Sequence, residues 1–128
     1  MVSYIYLASP YTHSDEKVME DRYNAVVDAV AFLTNGKYHV YSPILHFHPV
    51  AVKHSLPRDA EFWRESNEIM LYPAGLMYVL AIPGWDESKG VRHEIMIARQ
   101  LETSIRLMNP DETFQYLFEP LTFDKYPV

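Results

Sequence analysis

Cysteine is absent from this chain of 128 residues. Disulfides, thiolate metal sites and a cysteine nucleophile are therefore excluded, while the redox compartment is left open. Long apolar runs are missing as well. No stretch approaches the ~18 residues that would span a bilayer. Positive charge is scarce: 11 Lys and Arg stand against 17 Asp and Glu, a net charge of −6. Binding to nucleic-acid polymers comes mainly from clustered Lys and Arg, so such a polymer is not an expected partner. A single nucleotide needs only a local pocket and stays in play. The opening residues, MVSYIYLASPY, lack the basic and long apolar regions of a signal peptide. A cytoplasmic protein without membrane association is expected. No repeat, low-complexity tract or linker interrupts the chain, which reads as one domain over residues 1–128. Hydrophobic residues make up 48%, too many for a disordered chain and enough for a core.

What is present alternates between two periods. Residues 2–8 (VSYIYLA) are β-branched and aromatic and read as a buried strand. Ser14 is placed to cap a helix, with Asp15 and Glu16 in its first turn. Val18, Met19, Val26, Val27, Val30 and Leu33 carry that helix to about Thr34, and Asn35-Gly36 stops it. Residues 38–44 (YHVYSPI) read as a second strand and residues 45–56 as a loop. Pro57 is placed to start a helix running to about Leu71. Residues 76–82 (LMYVLAI) have the unbroken apolarity of a central strand covered on both faces. A helix follows, then a fourth strand over residues 104–108 (SIRLM). The tail from residue 113 carries five Phe or Tyr, more than a solvated segment holds, so it is expected to pack on the body or on a second subunit. Strands alternating with helices predict an α/β fold: a flavodoxin- or Rossmann-like parallel sheet with helices on both faces. Such sheets bind ligands at the carboxyl ends of their strands.

One residue breaks the pattern. In the helix after the third strand, Val91, Ile95, Ala98 and Leu101 form an apolar stripe, with Ile97 at its margin. Glu94 lies inside that arc, where a carboxylate costs desolvation free energy unless it is paired. It is either a structural carboxylate bonded to a tyrosine or backbone N–H, or a functional group. The residues before it, Asp86-Glu87-Ser88-Lys89-Gly90, combine a capping hydroxyl, a glycine and a helix N-terminus, which suits an anion such as a 5′-phosphate. Plain N-capping by Ser88 or Asp86 explains the same residues. A carboxylate one turn beyond a phosphate-sized hole suits attack on a sugar carbon.

These residues resemble the nucleoside 2-deoxyribosyltransferase-like superfamily. The nearer likeness is to a small branch with the signature G-W-x-x-S-x-G-V-x-x-E, here Gly84-Trp85-Asp86-Glu87-Ser88-Lys89-Gly90-Val91-Arg92-His93-Glu94. Tyr6-Leu7-Ala8-Ser9-Pro10-Tyr11 is similar to the superfamily's Y-L-A-G-P-[YF] segment. The resemblance implies cleavage or exchange of an N-glycosidic bond, with Glu94 as nucleophile and no cofactor. It also implies that Ser88 and Gly90 hold a 5′-phosphate or 5′-hydroxyl. Tyr6, Ser9, Pro10 and Tyr11 would line the base and sugar pocket, and His46 would sit at the mouth of strand two. A homodimer or larger homo-oligomer would complete the site. The family's usual aspartate on the helix before strand three is replaced by Asn67, which cannot act as a general acid or base but can hydrogen-bond a sugar hydroxyl or base edge. Asp86 and Glu68 are the substitutes in reach, although Glu68 lies about 100° round the helix from Asn67.

The remaining candidates are weaker. His46 and His48 would share one side of an extended segment, with His54 beyond, but no ligand spacing accompanies them and no metal is expected. Trp85 can stack on a base or fill the gap between strand end and helix; packing is favoured. Three functions follow in order: an N-glycosidase or transferase acting on a nucleoside or nucleoside 5′-monophosphate; a nucleotide-binding or sensing module without turnover; and an interaction protein, suggested by the aromatic tail alone.

Overall fold

The structure is a computed structural model that describes residues 3–113 and 115–123. Five strands form one sheet in the order β2-β1-β3-β4-β5. They are β1 (Ile5–Ala8), β2 (Val40–Tyr41), β3 (Leu76–Leu80), β4 (Ile105–Pro110) and β5 (Tyr116–Pro120). The first four pair in parallel, and β5 runs antiparallel along β4. Four α-helices cover the sheet: α1 (Glu16–Asn35), α2 (Pro43–His54), α3 (Ala60–Leu71) and α4 (Lys89–Gln100). The α/β fold read from the sequence is thus the observed one, with a flavodoxin-like strand order and one antiparallel edge.

Strand periodicity divides the core into two layers, because successive side chains point to opposite faces. Ile5 and Leu7 of β1, with Tyr78 and Leu80 of β3, pack against Met19, Val26, Ala29 and Leu33 of α1 and Ile44 and Phe47 of α2. Tyr6 and Ala8, with Met77 and Val79, pack against Leu71 of α3 and Val91, Ile95 and Ala98 of α4. No helix among the described residues is long and apolar enough to cross a membrane.

Several boundaries differ from the sequence reading. Asp15, not Ser14, caps α1, and its side chain accepts from the Lys17 N–H. The helix before β3 starts at Ala60 with Asp59 as its cap, rather than at Pro57. The largest difference is at residues 38–56. Only Val40 and Tyr41 form a strand, and the expected loop is the helix α2. Ser42 caps that helix by accepting from the Leu45 N–H at 3.1 Å, and Pro43 takes its first position. A proline there loses nothing, because its missing N–H would have had no helical partner. Pro49 inside the helix removes one i→i−4 bond. Burial of Ile44, Phe47, His48 and Ala51 holds the helix on the sheet despite it.

The aromatic tail is accounted for in part. Residues 116–120 supply β5, and Leu121 and Phe123 pack on the α3/α4 layer. Val2 of the expected first strand, and Phe114 and Tyr126 of the tail, lie outside the described residues.

Candidate functional site

The strand order reverses between β1 and β3: the chain passes from β1 to β2 on one side, then returns to β3 on the other. In open α/β sheets ligands bind at such a switch point, outside the carboxyl ends of the strands. A cavity of about 570 Å³ opens there. Ser9 and Tyr11 line it from the end of β1, and Pro43, Ile44 and Phe47 from the start of α2. Gly84, Glu87, Ser88, Lys89, Gly90 and Glu94 line it from the β3–α4 connection and the first turns of α4. Trp63, Arg64 and Asn67 of α3 close the remaining side. One wall is apolar: the Phe47 and Trp63 rings stack with centroids 4.2 Å apart.

Glu94 is buried in the wall of this cavity, with only 8% of its surface exposed. The fully buried Tyr6 hydroxyl donates a hydrogen bond to its Oε2. Burial pushes the Glu94 carboxyl up from 4.5 to about 7, against the opposing pull of the Tyr6 hydrogen bond. The same burial, and then the facing carboxylate, hold the Tyr6 phenol well above its ordinary value, so Tyr6 stays a donor. The result is a carboxyl near its ionisation midpoint at neutral pH in the wall of a ligand-sized space. Catalytic carboxyls are often tuned to that state.

Three further features converge on the cavity. Ser9 is buried, and its hydroxyl has no hydrogen-bond partner among the described residues. Leaving such a group unmet costs about 1–3 kcal/mol. Ser88 caps α4, accepting from the Val91 N–H at 3.2 Å. A β-carbon added at Gly90 would meet only ordinary contacts, the nearest at 3.5 Å from Ala60. The fold itself therefore does not demand glycine at that position.

Gly84 is different. Its φ of 92° is left-handed, and an added β-carbon would lie 2.6 Å from Nη2 of Arg22. Arg22 reaches across the crevice and donates to the carbonyl oxygens of Tyr11 at 3.2 Å and Thr12 at 3.1 Å, with Pro83 at 3.5 Å. Arg58 and Arg64, also in the lining, pair with Glu16 at 3.4 Å and Glu61 at 3.3 Å. Tyr11 is tied to α2 by a 2.6 Å hydrogen bond with Nδ1 of His48. Nε2 of His48 lies 3.0 Å from Oε2 of Glu20, and the Tyr23 ring stacks on the imidazole at 4.1 Å.

Of the residues singled out in the sequence, Ser9, Tyr11, Asn67, Ser88, Gly90 and Glu94 line the cavity. Tyr6 lies behind Glu94, and Pro10 is buried beside Ser9. Asp86 is exposed in a single 3₁₀ turn, and its neighbour Glu87 lines the cavity instead. Trp85 packs against the α3/α4 core layer. Glu68 is engaged by Nε2 of His93 and faces a small side pocket. The extended segment expected to put His46 and His48 on one side is corrected to a helix. On the helix α2, positions two apart point about 200° from each other. His48 is therefore buried, while His46 is exposed beside Tyr41 and is absent from the cavity lining. No group of three or more His, Asp or Glu among the described residues is placed to hold a metal.

Sequence reasoning missed Arg22, Arg58, Arg64 and the His48–Glu20 pair. Arg22 carried a readable signal. It falls on the stripe Met19, Val26, Ala29, Leu33 at helical spacing, the same anomaly that marks Glu94.

A family profile described as a domain of unknown function, DUF1937, matches residues 3–110. The chain belongs to the DUF1937 family. The matched span runs from the entry to β1 through β4, and so contains every cavity-lining residue. No curated protein matches the chain.

Proposed function

We propose that this DUF1937 protein cleaves or exchanges the N-glycosidic bond of a nucleoside or nucleoside 5′-monophosphate. The observation that carries the reading is Glu94, a buried carboxyl near its midpoint at neutral pH, facing a cavity at the switch point. The carboxylate attacks the anomeric carbon, and the bonding pair of the C–N bond leaves with the base, which takes up a proton. The glycosyl ester then passes its sugar to water, giving hydrolysis, or to a second base, giving transfer. Ser88, Gly90 and the free N–H groups of α4 would hold the 5′ end. Ser9 and Asn67 supply polar contacts for the sugar, and Phe47 and Trp63 an apolar surface for the base. The resemblance noted in the sequence supports the same chemistry.

Asn67 favours a second reading. An amide where the resembling enzymes carry an aspartate suits a nucleotide sensor of the same fold without turnover. A homo-oligomer in the cytoplasm fits either reading. Its support is the exposure of Phe62, Ile69 and Tyr72 on and after α3, and light scattering tests it. The deciding experiment is a chromatographic assay for free base over ribo- and deoxyribonucleosides and their 5′-monophosphates, with Glu94→Gln beside the wild type. Base released by the wild type and not by the variant supports the enzyme. Binding without release from any substrate supports the sensor.

A further inference from the structure

N-glycosidic cleavage needs an acid as well as a nucleophile, because a departing base is a poor leaving group until it is protonated. Asn67 cannot supply that proton. We propose that Tyr11 supplies it and is reprotonated by Nδ1 of His48, whose charged form Glu20 stabilises, so that these three residues form a proton relay serving the leaving base. The inference rests on the glycosidic reading of the cavity.

The geometry sets the direction of the relay. The Glu20 carboxylate only accepts, so Nε2 of His48, 3.0 Å away, carries a hydrogen. In neutral His48 the other nitrogen, Nδ1, must then accept, and the Tyr11 hydroxyl donates to it across 2.6 Å. The phenol proton is thereby turned away from the cavity that Tyr11 lines. When His48 takes a second proton, Nδ1 becomes a donor and Tyr11 must accept from it. Its own O–H is then free to turn into the cavity.

The transfer balances. The Tyr11 O–H bond breaks as a base N–H bond forms. Nδ1–H of His48 breaks as Tyr11 O–H re-forms, and His48 returns to neutral. In the second step the attacking water or second base gives its proton to Tyr11 as Tyr11 gives its own to Nδ1, and His48 regains its charge. His48 is 5% exposed and Glu20 54%, so Nδ1 exchanges its proton through Tyr11 while Glu20 faces the charged ring from the surface side. Burial holds the Tyr11 phenol above its ordinary value, with Arg58 pulling down and Glu20 and Glu16 pushing up. Tyr11 is therefore a hydroxyl, not a phenolate, through the neutral range. Tyr23 stacks on His48 and fixes its ring plane.

The test compares leaving groups. Tyr11→Phe and the wild type are assayed on the 5′-monophosphate turned over fastest. Both are also assayed on a counterpart whose base leaves without help: N7-methylated for a purine, 5-nitro for a pyrimidine. The relay predicts a loss of kcat of about 100-fold on the ordinary substrate and under about threefold on the activated one. Equal losses on both would make Tyr11 a packing residue and overturn the relay, as would no loss on either. Should Tyr11→Phe fail to fold by circular dichroism, Glu20→Ala decides, since Glu20 is on the surface. It must show the same selective loss, and an unselective or absent effect overturns the relay. No turnover by the wild type would overturn the glycosidic reading itself and the relay with it. Turnover abolished by Glu94→Gln but indifferent to Tyr11→Phe would overturn the relay alone.

Discussion

Two tyrosines of one short segment, Tyr6 and Tyr11, each hydrogen-bond through the phenol to a partner on a helix, but on opposite faces of the sheet. Tyr6 donates to Glu94 on α4; Tyr6 is sealed in the core layer, and Glu94 is buried in the cavity wall. Tyr11 meets His48 on α2, and His48 continues to Glu20, which is half in water. The first pair is a dead end. It holds one carboxyl in a low-dielectric site and shifts its ionisation. The second can take up a proton as well as give one, because an imidazole stands behind the phenol. The same side-chain chemistry thus serves two purposes, and the partner, carboxyl or imidazole, decides which.

The comparison breaks most visibly at the dead end. Glu94→Gln should lower base release by about 10³-fold or more, with nucleotide affinity kept, because the amide preserves shape but not nucleophilicity. Isothermal titration beside the chromatographic assay reads both quantities.

A stability effect comes next, and its sign follows from linkage. The folded Glu94 carboxyl holds its proton to about pH 7, whereas the unfolded one releases it near 4.5. The folded state therefore binds more protons between those values, and stability falls as pH rises through that window. The full effect is about 3 kcal/mol above pH 7. Glu94→Gln should recover much of it at pH 8 and little at pH 4.5. Glu20→Gln, at the exposed end of the other chain, should change stability by less than about 0.5 kcal/mol at either pH. Urea melts of the two variants sharpen the contrast directly.

Tyr6→Phe has a smaller expected effect. The Tyr6 hydrogen bond pulls the Glu94 carboxyl down, so its loss raises that value above about 7. Base release at pH 7 should fall about tenfold and recover towards wild type at pH 9. A pH profile unchanged by this variant would disconnect Tyr6 from the ionisation of Glu94. The smallest effect is expected at Gly90. Gly90→Ala should leave stability unchanged or raise it by up to about 1 kcal/mol. It should weaken 5′-monophosphate binding by about threefold, through contact with the ligand rather than with the protein.

Regular apolar periods made β1, α1, β3 and α4 legible in the sequence, and a carboxylate out of period made Glu94 legible. Arg22 stands out by the same rule, interrupting the buried stripe of α1 between Met19 and Val26. The segment after β2 misled for a physical reason. Ser42-Pro43, Pro49 and the three histidines have loop-like composition, but helix formation there is settled by a cap, a proline at the first position and burial against the sheet. Tyr11–His48–Glu20 was beyond reach for the same cause: with α2 unrecognised, no argument could turn His48 inward and His46 outward. Asp86 and Glu87 differ by one step on a 3₁₀ turn, too short an element to orient from sequence.

Arg22 carries a practical lesson for anyone wishing to retune this protein. Its guanidinium spans the loops after β1 and β3, and Gly84 leaves it no room to be crowded. Those two loops are therefore fastened to each other and should be inherited intact. The loop after β1 reaches the entry to α3, where Thr12 donates to the Arg58 carbonyl at 2.6 Å, but no described hydrogen bond joins Trp63, Arg64 or Asn67 to either loop. Trp63, Arg64 and Asn67 are the adjustable jaw of the vice, and a library confined to those three positions would sample new occupants while leaving the fixed jaw untouched.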